Sequence, residues 1–426
     1  MSRRLGAVAL TLAWLVSSGR AGATTASIFG IGPRSRALAG AGVTQELGYE
    51  AAFANPAALS LSSATSLSAG YGVTSPWLYL QRADQTEERF ESEPVTDTEL
   101  GFTLPLSVGT QRFVLGFASL SPGGSVARAQ LPFAEQPQFP LLLSRARAID
   151  FDLALGVRPF RFLALGLGLR ALSTLSGTAQ VERGKTTTTT RVSDSLEPTL
   201  APVAGLSAFF GPRTTLALAL RAPLRADFDI QLGAVDLGAT KLPPLNLAGV
   251  AHYDPLAVQA ELAQQVGPLT GMFGAIYQRF SATPTLLPRT VSCPPQRPDC
   301  LALDAPAPHF HDTFDLHVAL ALALPLTRHA TSKLRAGYAF APSPVPEQSG
   351  PENLLDNARH RLGLGYGLEL SKPLPPIDLD CALSLDELVA RTSRKDPSTP
   401  ADNAGSPTLT TRGRVFGFSL GLTVKL

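Results

Sequence analysis

Few residues of this sequence are placed to do covalent chemistry. Six histidines and three cysteines stand among 426 residues. His309, His311 and Asp312 fall together, a spacing suited to binding a metal or passing a proton. A hydrolase would need a base and a nucleophile together on the rim, and the sequence is read as holding no catalytic residue, no metal centre and no cofactor. Lys185 precedes a threonine run at 186–190, but no glycine-rich cradle for a phosphate comes before it. Cys293 and Cys300 bracket Pro294, Pro295 and Pro298 and are read as a disulfide that staples a loop, leaving Cys381 unpaired. The remaining chemistry is that of apolar binding. Leu131, Phe133, Phe139, Leu141, Leu142 and Leu143 crowd one connecting segment, and exposed apolar clusters of this kind mark binding surfaces or pack on a rim. Arg145, Arg147 and Arg335 are candidates to receive a carboxylate, or to pair with inward acids such as Asp150 or Glu369.

The elements that must hold these residues follow a period of two. In 314–326, Phe314, Leu316, Val318, Leu320, Leu322, Leu324 and Leu326 share one parity, and Asp315, His317, Ala319, Ala321 and Ala323 the other. A strand puts the two sets on opposite faces. Phe416, Phe418, Leu420, Leu422, Val424 and Leu426 against Gly417, Ser419, Gly421, Thr423 and Lys425 repeat the pattern at the chain end. One face is bulky and apolar, the other small with an occasional charge. Only 16% of residues are charged, against roughly 25% in ordinary soluble domains. The small face is too poor in charge to meet bulk water, so the bulky face is assigned to lipid. Lipid requires every backbone polar group to be paired internally, and for strands that means a closed barrel. A net charge of +2 excludes a broad nucleic-acid platform.

Connection lengths point the same way. About fourteen strands are expected, near 65–73, 98–108, 111–121, 146–158, 161–173, 200–211, 213–233, 242–253, 256–281, 312–325, 332–342, 358–371, 376–390 and 413–426. Short links, such as Gly109-Thr110 and Asp254-Pro255, alternate with long ones, such as 74–97 and 282–311, as turns and outer loops do in outer-membrane barrels.

The N-terminus reads as an export signal over 1–23: Arg3 and Arg4, an apolar stretch at 5–16, then Ala21-Gly22-Ala23. Residues 24–62 lack strand alternation and are rich in small residues, which suits a plug inside the barrel of residues 63–426.

The segment Gly32-Pro33-Arg34-Ser35-Arg36-Ala37-Leu38-Ala39-Gly40-Ala41-Gly42, followed by Asn55-Pro56-Ala57, resembles the N-terminal hatch of the FadL/TodX family of outer-membrane transporters for long-chain fatty acids and other hydrophobic compounds. Leu334-Arg335-Ala336-Gly337-Tyr338, Ser343-Pro344-Val345-Pro346-Glu347-Gln348, Asp356, Arg359 and Gly363/Gly365/Tyr366 are similar to that family's late strands. The resemblance implies an all-β transmembrane barrel of about fourteen strands occluded by its hatch, a monomer in contact with outer-membrane lipid and lipopolysaccharide. It implies capture of a fatty acid or hydrocarbon in an outer groove, a shift of the hatch terminus at Ile28 and Phe29, and passive lateral release at a kinked third strand. Gly116, Pro122 and Gly123 are the candidates for that kink. Asn55, Pro56 and Ala57 would tie the hatch backbone. Two rival roles remain open at this point, a protein-secretion anchor and a lipid hydrolase.

Overall fold

The computed structural model describes residues 28–426 apart from 46, 84–85, 91, 93, 124–127, 130–136, 143–145, 148, 184–187, 233–234, 237–240, 243–244, 285–288, 291–307, 349–352, 372–374, 397 and 399–406. Fourteen strands form one closed antiparallel barrel. In chain order they are β1 Ser66–Arg82, β2 Val95–Val108, β3 Gln111–Pro122, β4 Asp150–Phe160, β5 Leu163–Arg183, β6 Thr188–Phe210, and β7 Thr214–Arg221 continuing as Leu224–Leu232. Then follow β8 Leu245–Asp254 continuing as Ala257–Val266, β9 Leu269–Gln278, β10 Thr313–Thr327, β11 Ala330–Ala341, β12 Arg359–Leu370, β13 Ile377–Arg394 and β14 Thr408–Lys425. Closure is complete along one seam: β1 pairs with β14 from Ser66↔Lys425 to Arg82↔Leu409. No edge is left there for lipid to meet.

The alternation assigned from sequence fixes which side faces out. Leu320 is 51% and Leu364 60% exposed, while their neighbours Ala319 and Gly363 turn inward. Inside, the wall carries more charge than the small-residue pattern suggested. Asp97, Glu99, Asp150, Asp152, Arg170, Glu261, His317, Asp378, Asp380 and Asp386 are all buried.

One division of the strands differs from the sequence reading. Asp254-Pro255 is not a turn. The pairs Arg221↔Ala257 and Leu224↔Asp254 follow one another across the β7–β8 ladder, so residues 222–223 and 255–256 are matched interruptions within two continuing strands. Pro223 and Pro255 lack the N–H a ladder needs, and the sequence signal of a proline-marked turn is the same. The turn instead lies at Gly267 and Pro268, where Gly267 adopts φ 59°, a left-handed conformation that glycine enters without steric cost. With this division the link between β7 and β8 joins the long-loop end; the β5–β6 link at that end is short, 184–187, because both strands run on through the expected loop 174–199.

At the expected third-strand kink the ladder is continuous. β3 pairs with β2 at each step from Asp97↔Pro122 to Val108↔Gln111 with no shift of register. Pro122 is the last residue of the strand, and the Gly123 N–H still bonds Thr96 O at 2.7 Å. Gly116 serves the hatch: a Cβ there would stand 2.4 Å from Leu59 Cδ2.

The N-terminal segment fills the barrel with short helices: α1 Pro33–Ala37, a 3-10 turn Gly48–Glu50, α2 Ala51–Ala54 and a 3-10 helix Pro56–Leu61. α1 rests on β11 to β14, and Pro56–Leu61 rests on β3 to β6, the far wall. Such close approach needs small residues on the wall. A Cβ on Gly337 would fall 2.2 Å from the Leu38 carbonyl carbon, and one on Gly363 2.5 Å from Ala37 O.

Candidate functional site

The inward face of β1 changes character along its length. Ser66, Ser68 and Thr74 are buried against the lower lumen, whereas Leu78 and Leu80 continue the same parity as bulky apolar residues. They meet Leu388 of β13 and Leu409 and Val415 of β14, with Phe139 and Leu142 from the β3–β4 loop and Leu355 from the β11–β12 loop. Ile28, Phe29 and Phe90 pack against this group. Phe90 and Phe139 meet edge to face, with centroids 5.4 Å apart. The result is an apolar cluster in the outer lumen, a closed chamber filled by its own side chains, with Ile28 and Phe29 packed against it.

Three arginines edge the chamber, one of them in a matched ion pair. Arg361 Nε and Nη2 donate to Asp386 Oδ1 and Oδ2 at 2.9 and 3.0 Å, and the Arg361 guanidinium carbon stands 5.7 Å from the Phe29 ring centroid. Arg391 Nη1 donates to Val345 O at 2.7 Å and Asp356 O at 3.2 Å, pinning the β11–β12 loop over the opening. Arg359 is opposite Leu388 in the β12–β13 ladder, and its Nε and Nη1 are buried without a hydrogen-bond partner among the described residues. Two carboxylates, those of Asp315 and Asp356, act on the same guanidinium.

Below the chamber the hatch is fixed by buried ions. Arg34 donates through Nε to Asp380 at 2.8 Å and through Nη2 to Asp378 at 3.0 Å. Arg36 Nη2 bonds Asp97 and Glu99 of β2, each at 2.9 Å. Burial works against the charge on Arg34, but Asp380, Glu50 and Asp378 more than offset it and hold the guanidinium above its ordinary value. Glu99 also accepts from the Tyr49 hydroxyl at 2.8 Å and the Gly32 N–H at 3.1 Å. On the opposite wall Glu261 accepts the Gly42 N–H at 2.7 Å and the Thr44 N–H at 3.0 Å. Asn55 caps the Pro56–Leu61 helix, its Oδ1 accepting the Ala57 N–H at 3.1 Å, while its Nδ2 donates to Val43 O and Ser207 Oγ at 2.7 and 3.2 Å. The guanidinium carbons of Arg170 and Arg221 stand 5.0 and 5.1 Å from the Phe53 ring centroid. Arg170 is in turn paired with Asp150 and Asp254.

The sequence-derived site residues divide accordingly. Ile28 and Phe29 reach the chamber, and Asn55, Pro56 and Ala57 are buried in the hatch. Phe139 and Leu142 do not form an exposed outer groove; they are buried as the chamber's cap, and Leu141 packs on Phe280, Phe310, Val345 and Leu354. Arg335 is taken up by Asp380 at 2.7 Å, beside Arg34, and so supports the hatch seat. Neither acid proposed as an arginine's partner is Arg335's: Asp150 pairs with Arg170, and Glu369 with Lys333. Leu131, Phe133, Leu143, Arg145, Cys293 and Cys300 lie outside the described residues, and of Arg147 only the backbone, paired with Arg128, is described. Cys381 is a free thiol. Among the described residues no group of His, Cys, Asp and Glu is arranged to hold a metal. Missed from sequence were Leu78, Leu80, Leu388, Leu409 and Val415. The available signal was bulky residues on the parity that lower down is small or polar.

No family model matches this sequence, and no curated protein matches it. Solved structures share the fold. A Pseudomonas aeruginosa FadL homologue superposes with a TM-score of 0.63 at 13% identity, covering 96% of this chain and 100% of its own. The toluene transporter TodX of P. putida gives 0.55 at 13% identity, covering 92% of this chain and 97% of its own. The Ralstonia pickettii toluene transporter TbuX gives 0.53 at 14% identity, covering 94% and 99%.

Proposed function

We propose that this chain is an outer-membrane transporter of the FadL/TodX type that carries hydrophobic small molecules inward without an energy source of its own. The single observation that supports this most is the apolar chamber around Phe29 standing above a hatch seated by buried ion pairs. A pore for polar solutes has no use for such a chamber, and a blocked lumen does not serve open diffusion. An acyl chain or hydrocarbon gains about 0.8 kcal/mol for each methylene removed from water. The charged outer leaflet resists its passage, and the chamber offers an apolar station within the barrel. The ligand would take the place of Ile28 and Phe29, the hatch terminus would move, and the ligand would leave sideways into the membrane. The concentration difference drives each step.

Toluene and a long-chain fatty acid are the two informative probes, because the named cargoes of the structural neighbours are monoaromatic hydrocarbons and because Arg359 offers donors to a carboxylate. Cells or outer-membrane vesicles carrying the intact barrel should take up at least one of them faster than controls, and deletion of residues 24–30 should slow that uptake while the barrel still assembles. Uptake indifferent to the deletion, with an exported protein copurifying instead, would replace transport by an anchoring role.

A further inference from the structure

Exposed arginines meet different company at the two ends of the barrel. At the long-loop end Arg412 and Arg414 are paired with Glu87 and Glu387. At the short-turn end Arg112, Arg158, Arg161, Arg213 and Arg328 are exposed too. No Asp or Glu stands in 105–114, 157–164, 209–216, 264–271 or 324–332 to pair with them. The acids of the neighbouring wall are already engaged, Glu369 with Lys333, and Asp378 with Arg34 and Lys425. A guanidinium keeps its charge at any ordinary pH, so this rim is basic and its counter-charge comes from outside the chain.

The side chains at the shoulders of these turns set the depth of that rim. Val108, Phe160, Phe162, Phe210, Val266 and Leu326 are between 56% and 68% exposed. Val108, Phe210, Val266 and Leu326 continue the lipid-facing parity of their strands, and Phe160 is registered opposite Leu163, which opens such a row on β5. Hydrocarbon therefore reaches the ends of the strands. The arginines just beyond lie at the level of lipid head groups, where a long basic side chain keeps its stem in the apolar layer and its charge in the polar one. Short turns mark the periplasmic side of an outer-membrane barrel, and the leaflet on that side is phospholipid.

Two of the arginines come together with three aromatic rings. The Phe209 N–H bonds Phe162 O at 2.8 Å and so joins the β4–β5 turn to the β6–β7 turn beside it. Phe160 and Phe162 stack with centroids 5.4 Å apart on the first turn, and Phe210 shoulders the second. Arg158 is spent on the turn itself: its Nε donates to Arg161 O at 3.1 Å, and its guanidinium carbon stands 4.0 Å from the Phe209 ring centroid. Arg112 donates to Ser62 O. Arg161 and Arg213 are left with exposed guanidiniums that pair with no acid among the described residues. Planar guanidinium forks match the oxygens of a phosphate two at a time, and aromatic rings are at home where acyl chains meet head groups.

We propose that Arg161 and Arg213, with Phe160, Phe162 and Phe210, form a binding site on the outside of the barrel for an anionic phospholipid of the periplasmic leaflet. The arginines take the phosphate, and the three rings flank the upper part of the acyl chains. The site needs the barrel in a membrane and is independent of what the lumen carries. Anionic lipid attracts basic residues near the bilayer surface, and salt screens that attraction.

The test titrates the full, delipidated barrel in a neutral detergent with phosphatidylglycerol or with phosphatidylcholine and reads the retained lipid by native mass spectrometry. The intact barrel should retain phosphatidylglycerol in preference, and added salt should weaken the preference. Arg161→Gln with Arg213→Gln should lower its retention roughly fivefold or more, with heat-modifiable migration showing the barrel intact. Arg161→Lys with Arg213→Lys should keep most of it, which a merely structural role of the arginines does not predict. Arg412→Gln with Arg414→Gln, at the other end, should leave it unchanged. Equal retention of the two lipids by the intact barrel overturns the site, as does an equal loss in the Arg412 and Arg414 pair. Displacement of the lipid by glycerol phosphate at matching concentration overturns the lipid as occupant in favour of a free phosphate ester. Phosphatidylglycerol retention untouched by the glutamine pair, with binding of polyglutamate lost, makes the rim a docking face for an acidic protein instead.

Discussion

The Glu50 carboxylate accepts the Ser35 N–H at 2.8 Å and so closes the first turn of the hatch helix α1 from within the same segment. Its other oxygen accepts the Arg34 N–H at 3.2 Å. The first N–H groups of a helix have no partners within it, and an acceptor here fixes where α1 begins. Burial pushes the Glu50 carboxyl up to about 8, against the pull of Arg34.

A pH dependence of the hatch follows. The folded carboxyl titrates near 8 and the unfolded one near 4.5, so between these values the folded hatch holds a proton that the unfolded segment has lost. The stabilisation is complete below 4.5 and is lost as pH rises through 8, at about 1.4 kcal/mol per unit. Hydrogen exchange at the amides of 34–37 should be faster at pH 9 than at pH 6 beyond the intrinsic base catalysis. Glu50→Gln should remove the excess. An excess that survives the substitution assigns the effect to another group.

Arg36→Ala should open the plug. It strands Asp97 and Glu99, buried and without their cation, and breaking a buried pair from one side costs about 3–5 kcal/mol. Planar-bilayer recordings should show ion conductance that the intact protein lacks, with the barrel's heat-modifiable migration retained. A silent, well-folded variant would mean that the hatch does not depend on this tie.

Asn55→Ala should loosen the 3-10 helix Pro56–Leu61 without releasing α1. Loss of the cap costs about 0.5–2 kcal/mol, and Val43 O and Ser207 lose a donor as well. Exchange at 57–61 should accelerate at least threefold while 34–37 stays as before. Equal acceleration in both would show the hatch to be one cooperative unit.

Much of the barrel was legible because its physics is one-dimensional. The alternation in 314–326 and 416–426 states which face meets lipid, and Leu320 and Leu364 point outward accordingly. Pro255 misled because proline marks both a turn and a lapse in a ladder, and only the partner strand distinguishes them. The chamber was harder. Leu78, Leu388 and Leu409 are far apart in sequence, and it is barrel closure that brings them together. Phe139 and Leu142 were found as apolar loop residues, but whether such residues stay exposed or fold inward depends on the wall they face. The ion pairs of Arg34 and Arg36 span some 346 and 61 residues of chain and leave no local pattern.

Arg359→Ala should separate ligands by their head group. Its free donors edge an otherwise apolar chamber, and hydrogen bonds to a charged partner contribute about 1.5–3 kcal/mol. Fatty-acid binding should weaken roughly tenfold or more, the equivalent of about 1.4 kcal/mol, while toluene binding holds. Equal loss of both would make Arg359 a support of the chamber wall.

The most direct measurement is uptake of a labelled apolar compound by barrels in which the chamber alone is made polar. Leu80→Asp with Leu409→Asp places two carboxylates among the residues that line it, away from the hatch ties. With assembly verified by heat-modifiable migration, uptake should fall at least tenfold while binding of the hatch to the wall is unchanged by hydrogen exchange. Uptake at the unmodified rate in this variant would contradict the chamber as the station through which the ligand passes.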